Sequence, residues 1–159
     1  YIIPDSNLNQ ISSDDLLIFS VKAYDDQENA LKNNLDLIIN ISKKRGSKLI
    51  LVDDFTPFGE NQDADFFPKF SFFGNGPTIS RLKAEIRRSK HTKLLLDYVD
   101  NKNIFYIDPL TTLCDMELCP AVINGSLIYA DGSPHINKNG IKILDDFWRV
   151  NLPSILDVE

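Results

Sequence analysis

Three short runs of consecutive apolar residues, separated by stretches of helical periodicity, limit what this chain can fold into. They are Asp15–Val21, Lys48–Asp53 and Ile104–Ile107. A strand that is apolar at successive positions, rather than at every second one, has both faces covered, which is the situation of a parallel sheet packed between helices. Between the first two runs the sequence predicts a helix from about Gln27 to Arg45. Leu31, Leu35, Ile38 and Ser42 share one face of it, widened by Ile39. Lys43, Lys44 and Arg45 suit its negative end and Gly46 a left-handed cap. A second amphipathic helix is expected from about Ile79 to Val99, broken near His91. A short strand is expected at Leu127–Tyr129, and a last helix from about Ile141 to Val150 with Ile141, Leu144 and Trp148 along one face. The expected class is therefore α/β, with a parallel sheet in three layers.

The 159 residues suit about one domain, and no repeat, low-complexity tract or linker divides them. The longest apolar runs are four or five residues, against the ~20 that a membrane span requires. No apolar leader segment stands at the N-terminus. Seventeen Lys and Arg against 23 Asp and Glu give a net charge of −6, which argues against nucleic acid as a partner. The segment 55–77 is a long Phe-, Pro- and Gly-rich loop, and loops of that length are usually functional. Its Phe66, Phe67, Phe70, Phe72 and Phe73 read first as packing residues, with an acyl pocket as the alternative.

Ligands of such sheets bind at the carboxyl ends of the strands. Those ends carry Lys22, Asp53 with Asp54, Asp108, and the segment from Asp131 to His135. The most informative stretch is Tyr129-Ala-Asp-Gly-Ser-Pro-His135, which runs into the last helix. A carboxylate and an imidazole in one tight turn are the base and the orienting group of a nucleophilic triad, or else a surface loop without chemistry. Asp53, Asp54 and Asp108 admit a carboxylate pocket for Mg²⁺, or the commoner role of Asp as turn former and helix cap. His91, among Arg87, Arg88 and Lys90, reads as an exposed helix residue. Cys114 and Cys119 are too few for a four-ligand zinc site and too far apart for a Cys-x-x-Cys redox pair. Either two free thiols or a small disulfide loop fits them.

From Phe105 to Ile143 the chain resembles the C-terminal part of the SGNH-hydrolase-type domains attached to acyltransferase-3 proteins, which O-acylate bacterial surface polysaccharides. The resemblance is carried by Ile107-Asp108-Pro109, Leu113-Cys114, Cys119, Gly125, Leu127-Ile128-Tyr129-Ala130-Asp131, His135 and Gly140, in that order. Asp14–Val21 and the strand running to Asp53-Asp54-Phe55-Thr56-Pro57 are also similar to the family's middle strands. The resemblance implies a flavodoxin-like parallel sheet, the SGNH hydrolase fold. It makes His135 the general base that activates a serine and Asp131 the carboxylate that orients its ring. It also implies that Cys114 and Cys119 form a disulfide. The implied function is transfer of an acyl group, most often acetyl, onto hydroxyls of cell-envelope polysaccharide. The implied setting is the extracytoplasmic side of a membrane, beside a membrane acyltransferase domain of the same protein. No metal or organic cofactor is implied. The alternatives are an SGNH-type esterase or deacetylase, and a non-catalytic glycan- or partner-binding domain.

Two departures stand beside the resemblance. The family's Asp lies three residues before the His, where this chain has Gly132, and Asp131 is one residue further back. The family's nucleophile sits in a Gly-Asp-Ser that this chain lacks. Pro4-Asp5-Ser6-Asn7 imitates it, but nine residues between Ser6 and Leu16 leave no room for the helix that follows a nucleophile, so Ser6 reads as part of a polar arm. Nor is there a Gly-x-Asn-Asp block for an oxyanion hole. Lys22 is at most a substitute donor, and Asn75 reads as a turn residue. The expectation is one SGNH-type domain over residues 1–159, incomplete at its N-terminus. Its nucleophile strand would lie upstream of Tyr1, and this chain alone would be inactive.

Overall fold

The computed structural model describes residues 16–20, 28–55, 76, 78–100, 102–129 and 136–156. The chain forms two compact units. Of the described residues, the first gathers those up to 53 and those from 90 to 107, and the second those from 54 to 89 and from 108 to 156.

The first unit holds a parallel three-stranded sheet. Its strands are β1 (Leu16–Ser20), β2 (Lys48–Val52) and β4 (Ile104–Ile107), in the order β1-β2-β4. The register places Leu51 opposite Phe19 on one side and Tyr106 on the other. Helix α1 (Glu28–Arg45) supplies Leu35, Ile38 and Ile39 to a core completed by Leu49, Leu51, Leu95 and Ile104. Ser42, on the apolar face of α1, is buried because its hydroxyl donates to the carbonyl of Ser47 at 2.7 Å. Gly46 ends the helix with φ 70°, a conformation open to a residue without Cβ. Asp100 launches β4: its Oδ1 accepts the N–H groups of Lys102, Asn103 and Ile104 at 2.9–3.0 Å. The expected α/β class and its central parallel strands are present.

The second unit is built from shorter pieces. Strand β3 (Thr78–Ser80) pairs antiparallel with β5 (Leu118–Pro120), and β6 (Val122–Ile123) with β7 (Ser126–Leu127). Asn124 and Gly125, at φ 51° and 73°, form the turn between β6 and β7, matching the twist of a tight hairpin. A single helical turn, α3 (Leu110–Leu113), precedes Cys114, which is disulfide-bonded to Cys119. Both half-cystines are buried in a cluster with Ala84, Leu110, Leu113, Ala121, Ile128, Tyr129 and Leu144. The open choice at the two cysteines is therefore resolved as a disulfide.

Four sequence expectations need correction. The helix expected from Ile79 begins at Arg81, because Thr78–Ser80 pairs as a strand and the Ser80 hydroxyl accepts the N–H of Lys83. That helix, α2 (Arg81–Leu96), runs through His91 without a break. His91 is 4% exposed rather than solvent-facing. Ala84, Arg88, His91 and Leu95 recur at helical spacing, so the buried stripe of α2 is half polar, a pattern that apolar periodicity does not reveal. The last helix, α4 (Lys138–Leu156), buries a stripe through Gly140 and Leu144 with Trp148 packed against it, and leaves Ile141 60% exposed. Among the described residues, no helix is long and apolar enough to cross a membrane.

Candidate functional site

The site the sequence singles out lies between β7 and α4, in the second unit. Asp131 and His135 fall outside the described residues, as do Ser6, Lys22, Asn75 and the Phe66–Phe73 stretch. The described residues nearest the segment are Tyr129 and Ile136. Tyr129 and Ile136 form an antiparallel bridge, so both ends of the segment are held side by side.

Asn137 follows at once and is the N-cap of α4. Its Oδ1 accepts the N–H groups of Asn139 and Gly140 at 2.9 and 3.2 Å, satisfying two donors of the first helical turn. Its Nδ2 donates to the carbonyls of Tyr129 and Leu127 at 2.7 and 2.8 Å. Its own N–H donates to the carbonyl of Ile128 at 3.0 Å. Asn139 adds a bond from Nδ2 to the Leu127 carbonyl at 3.1 Å. Gly140 lets this helix start press directly on the strand. A Cβ there would lie 2.5 Å from the Ile128 carbonyl oxygen and 2.6 Å from Ile136 Cγ2. The Gly that the sequence pattern requires after the His is thus a close-approach glycine, not a flexible one.

Tyr129 is fully buried. Burial, and then the nearby Asp54 carboxylate, push its phenol far above the ordinary tyrosine range. It stays protonated at every physiological pH and serves as a neutral buried group.

The strand-end carboxylates are engaged by neighbours. In the first unit Asp53 is fully buried, with the hydroxyls of Thr92 and Tyr106 donating to its Oδ2 at 2.6 and 2.7 Å. Its N–H extends the ladder to the carbonyl of Ile107 at 3.1 Å. In the second unit Asp108 Oδ2 pairs with the Arg88 guanidinium at 2.7 Å, and its Oδ1 accepts the N–H of Leu110 at 2.9 Å to start α3. Arg88, 4% exposed, also reaches the Asp54 carbonyl at 3.5 Å. Only the Asp108–Leu110 bond is of the turn-forming kind; the Asp53 carboxylate and Asp108 Oδ2 hold side chains of other elements. Among the described residues, no group of three or more His, Cys, Asp or Glu converges in an arrangement that could hold a metal ion.

Sequence reasoning missed Arg88 as the partner of Asp108, Thr92 and Tyr106 as donors to Asp53, and Asn137 as the clamp. Only Asn137 carried a local signal, an Asn directly before a helix start.

The family model described as SGNH domain (fused to AT3 domains) matches residues 6–149. No curated protein and no solved structure matches the chain significantly.

Proposed function

The chain belongs to the family of SGNH domains fused to AT3 domains, and from that membership we propose that it carries the acid–base half of a serine acyl-transfer centre. In this reading His135 takes the proton of a serine hydroxyl as the serine attacks an acyl donor. It passes that proton to the donor's leaving group as the acyl-enzyme forms, then takes the proton of the acceptor hydroxyl and delivers it to the serine Oγ as the acceptor displaces the serine. Asp131 accepts from the other ring nitrogen and holds the imidazole tautomer. The acceptor is a hydroxyl of a cell-envelope polysaccharide and the acyl group is acetyl. The AT3 partner is a membrane acyltransferase domain of the same protein, and the site works on the extracytoplasmic side. No metal or organic cofactor enters.

The observation that carries the reading is the family match, which extends to residue 149 and so takes in the whole segment between β7 and α4. The buried disulfide Cys114–Cys119 supports an oxidising compartment. The bridge Tyr129–Ile136 and the Asn137 cap support a fixed seat for a catalytic turn. The absence of Gly-Asp-Ser from the sequence leads us to propose that residues 1–159 are part of one SGNH-type domain, with its serine strand outside them. The same absence favours, as a second reading, a domain that binds glycan without catalysis.

His135→Ala in the full-length protein separates the two. Loss of a general base is expected to lower acyl transfer by about 10³-fold or more while glycan binding is retained. An unchanged rate would remove His135 from the chemistry and leave the binding reading. Esterase action is distinguished in the same assay by whether acyl groups appear on added glycan or as free acid.

A further inference from the structure

Helix α2 carries six cations, Arg81, Lys83, Arg87, Arg88, Lys90 and Lys93, against one carboxylate, Glu85, in a chain whose net charge is −6. Two of the six are used within the fold. Arg88 is buried on Asp108, and Arg81 holds Glu85 at 2.8 Å while donating to the Asp115 carbonyl at 3.1 Å. Lys83, Arg87, Lys90 and Lys93 are exposed. So are three large apolar residues of the same helix, Leu82, Ile86 and Leu96, at 67%, 64% and 48%. At about 100° per residue these three run along the side of α2 opposite its buried stripe, with Ser89 and Lys93 in the same line. Lys83, Arg87 and Lys90 form the line beside it.

Single apolar residues scattered on a surface are ordinary; an apolar line flanked by a cationic line is the pattern of a helix that lies in a lipid interface. We propose that this face of α2 rests against an anionic lipid surface. Leu82, Ile86 and Leu96 enter the boundary between headgroups and acyl chains, and Lys83, Arg87 and Lys90 reach lipid phosphates. Charge complementarity selects the occupant. A chain of net charge −6 is repelled as a whole by an anionic surface, so it approaches by the side where its cations collect. Lysine stems lie along apolar surface while their ammonium groups stay in water, so one bilayer meets both lines at once. The apolar line is one residue wide and holds no aromatic side chain, whereas the centre of a protein interface is a packed patch enriched in aromatics. The proposal is independent of the chemistry assigned to His135. It draws on the proposed function only for a membrane domain in the same protein, which keeps a bilayer within reach.

Vesicles test the face directly. The 159-residue chain is mixed with vesicles of phosphatidylcholine, with or without phosphatidylglycerol, and the bound fraction is measured by flotation. Binding is expected with the anionic vesicles alone and is expected to fall steeply with added salt. Lys83→Glu combined with Lys90→Glu is expected to lower it by about tenfold or more. Lys32→Glu combined with Lys44→Glu makes the same charge change at exposed positions of α1 and is expected to do much less. Leu82→Gln combined with Ile86→Gln is expected to weaken binding several-fold. All six side chains are exposed, so the melting curves in circular dichroism are expected to stay near that of the parent. No binding to anionic vesicles, or equal loss from the α1 and α2 charge pairs, would overturn the proposal. Binding that needs the lysines but survives the Leu82 and Ile86 changes would make the face a general polyanion site and overturn the lipid assignment. A concentration-dependent doubling of mass that those changes abolish would give the face to a second copy instead. Each of these results falls on α2 alone, since the role of His135 is tested separately by acyl transfer in the full-length protein.

Discussion

The two units of this chain reach order by different routes. In the first, strands of four and five residues and a helix of 18 meet through a continuous aliphatic cluster, and of its buried polar residues Ser42 and Asp53 are each hydrogen-bonded inside it. In the second, no strand among the described residues exceeds three residues. Beside a buried cluster of its own around Leu110, Leu113 and Ile128 it carries point fixtures: a disulfide, a two-residue turn at Asn124-Gly125, the Arg88–Asp108 pair and the Asn137 clamp. Burial of area tolerates modest changes in any one residue, whereas a fixture is lost whole. The described elements that flank the segment from Asp131 to His135, β7 and α4, belong to the second unit and are tied by two of these fixtures, the β6–β7 turn and the Asn137 clamp.

The strongest way to break this contrast is to remove one side chain from the aliphatic cluster. Leu51 is fully buried between strands on both sides and packs with α1 residues. Leu51→Ala is expected to cost about 3 kcal/mol, the transfer of the lost carbons plus the cavity they leave. Amide hydrogen exchange read peptide by peptide is the appropriate measurement. Protection is expected to fall across β1, β2 and β4 and to change less over β5–β7. An equal fall in both would show one cooperative block and dissolve the contrast.

Reduction of Cys114–Cys119 is the corresponding blow to the second unit. The loop it closes is short, with the half-cystines five apart in sequence, so the chain-entropy estimate is about 2 kcal/mol. Protection is expected to drop over α3, β5 and the hairpin on adding a reductant, with the sheet amides of the first unit little changed. A drop confined to the sheet of the first unit would reverse the assignment of fixtures made above.

The same contrast explains what could be read from the sequence. Strand β4 was expected over the residues it occupies, and β1, β2 and α1 nearly so, because a strand covered on both faces writes its burial into consecutive letters. Strands of two or three residues are too short for alternation to register, and β3, β5 and β6 left no pattern to find. His91 was misread because the stripe that buries it contains Arg88, whose carboxylate partner Asp108 lies 20 residues away in sequence. Ile141 was misassigned because the apolar stripe of α4 is set by Gly140, a residue with no hydrophobic side chain to announce it. Asp131 and His135 stand on a carboxylate and an imidazole in one Gly/Ser/Pro turn and on the family resemblance, and nothing in the described residues bears on the pair directly. The frame around them was half legible: an Asn before a helix start predicts a cap, while its second use as a clamp depends on carbonyls that only the folded chain brings near.

The smallest expected effect compares one carboxylate from each unit. Asp100 Oδ1 takes three main-chain N–H groups at the start of β4, and Asp115 Oδ1 takes those of Leu118 and Glu117 at 2.6 and 2.8 Å at the start of β5. Burial pushes Asp100 up, but the N–H groups of Ile104, Lys102 and Asn103 together outweigh it and hold the carboxyl below its ordinary range. The N–H of Leu118, then that of Glu117, do the same for the exposed Asp115. Both folded values lie below the unfolded value of ~3.9, so each contribution is complete above that pH and disappears as pH falls through the folded value. Asn in either place keeps an acceptor oxygen and loses the charge. Asp100→Asn and Asp115→Asn are each expected to lower stability slightly at pH 7, to flatten the decline of the urea midpoint below about pH 4, and so to converge with the parent in acid. Exchange measured at low pH then locates the effect, over β4 for Asp100 and over β5 for Asp115. A variant whose acid decline matches the parent would show that its turn is held by chain geometry and not by the charge on the carboxylate.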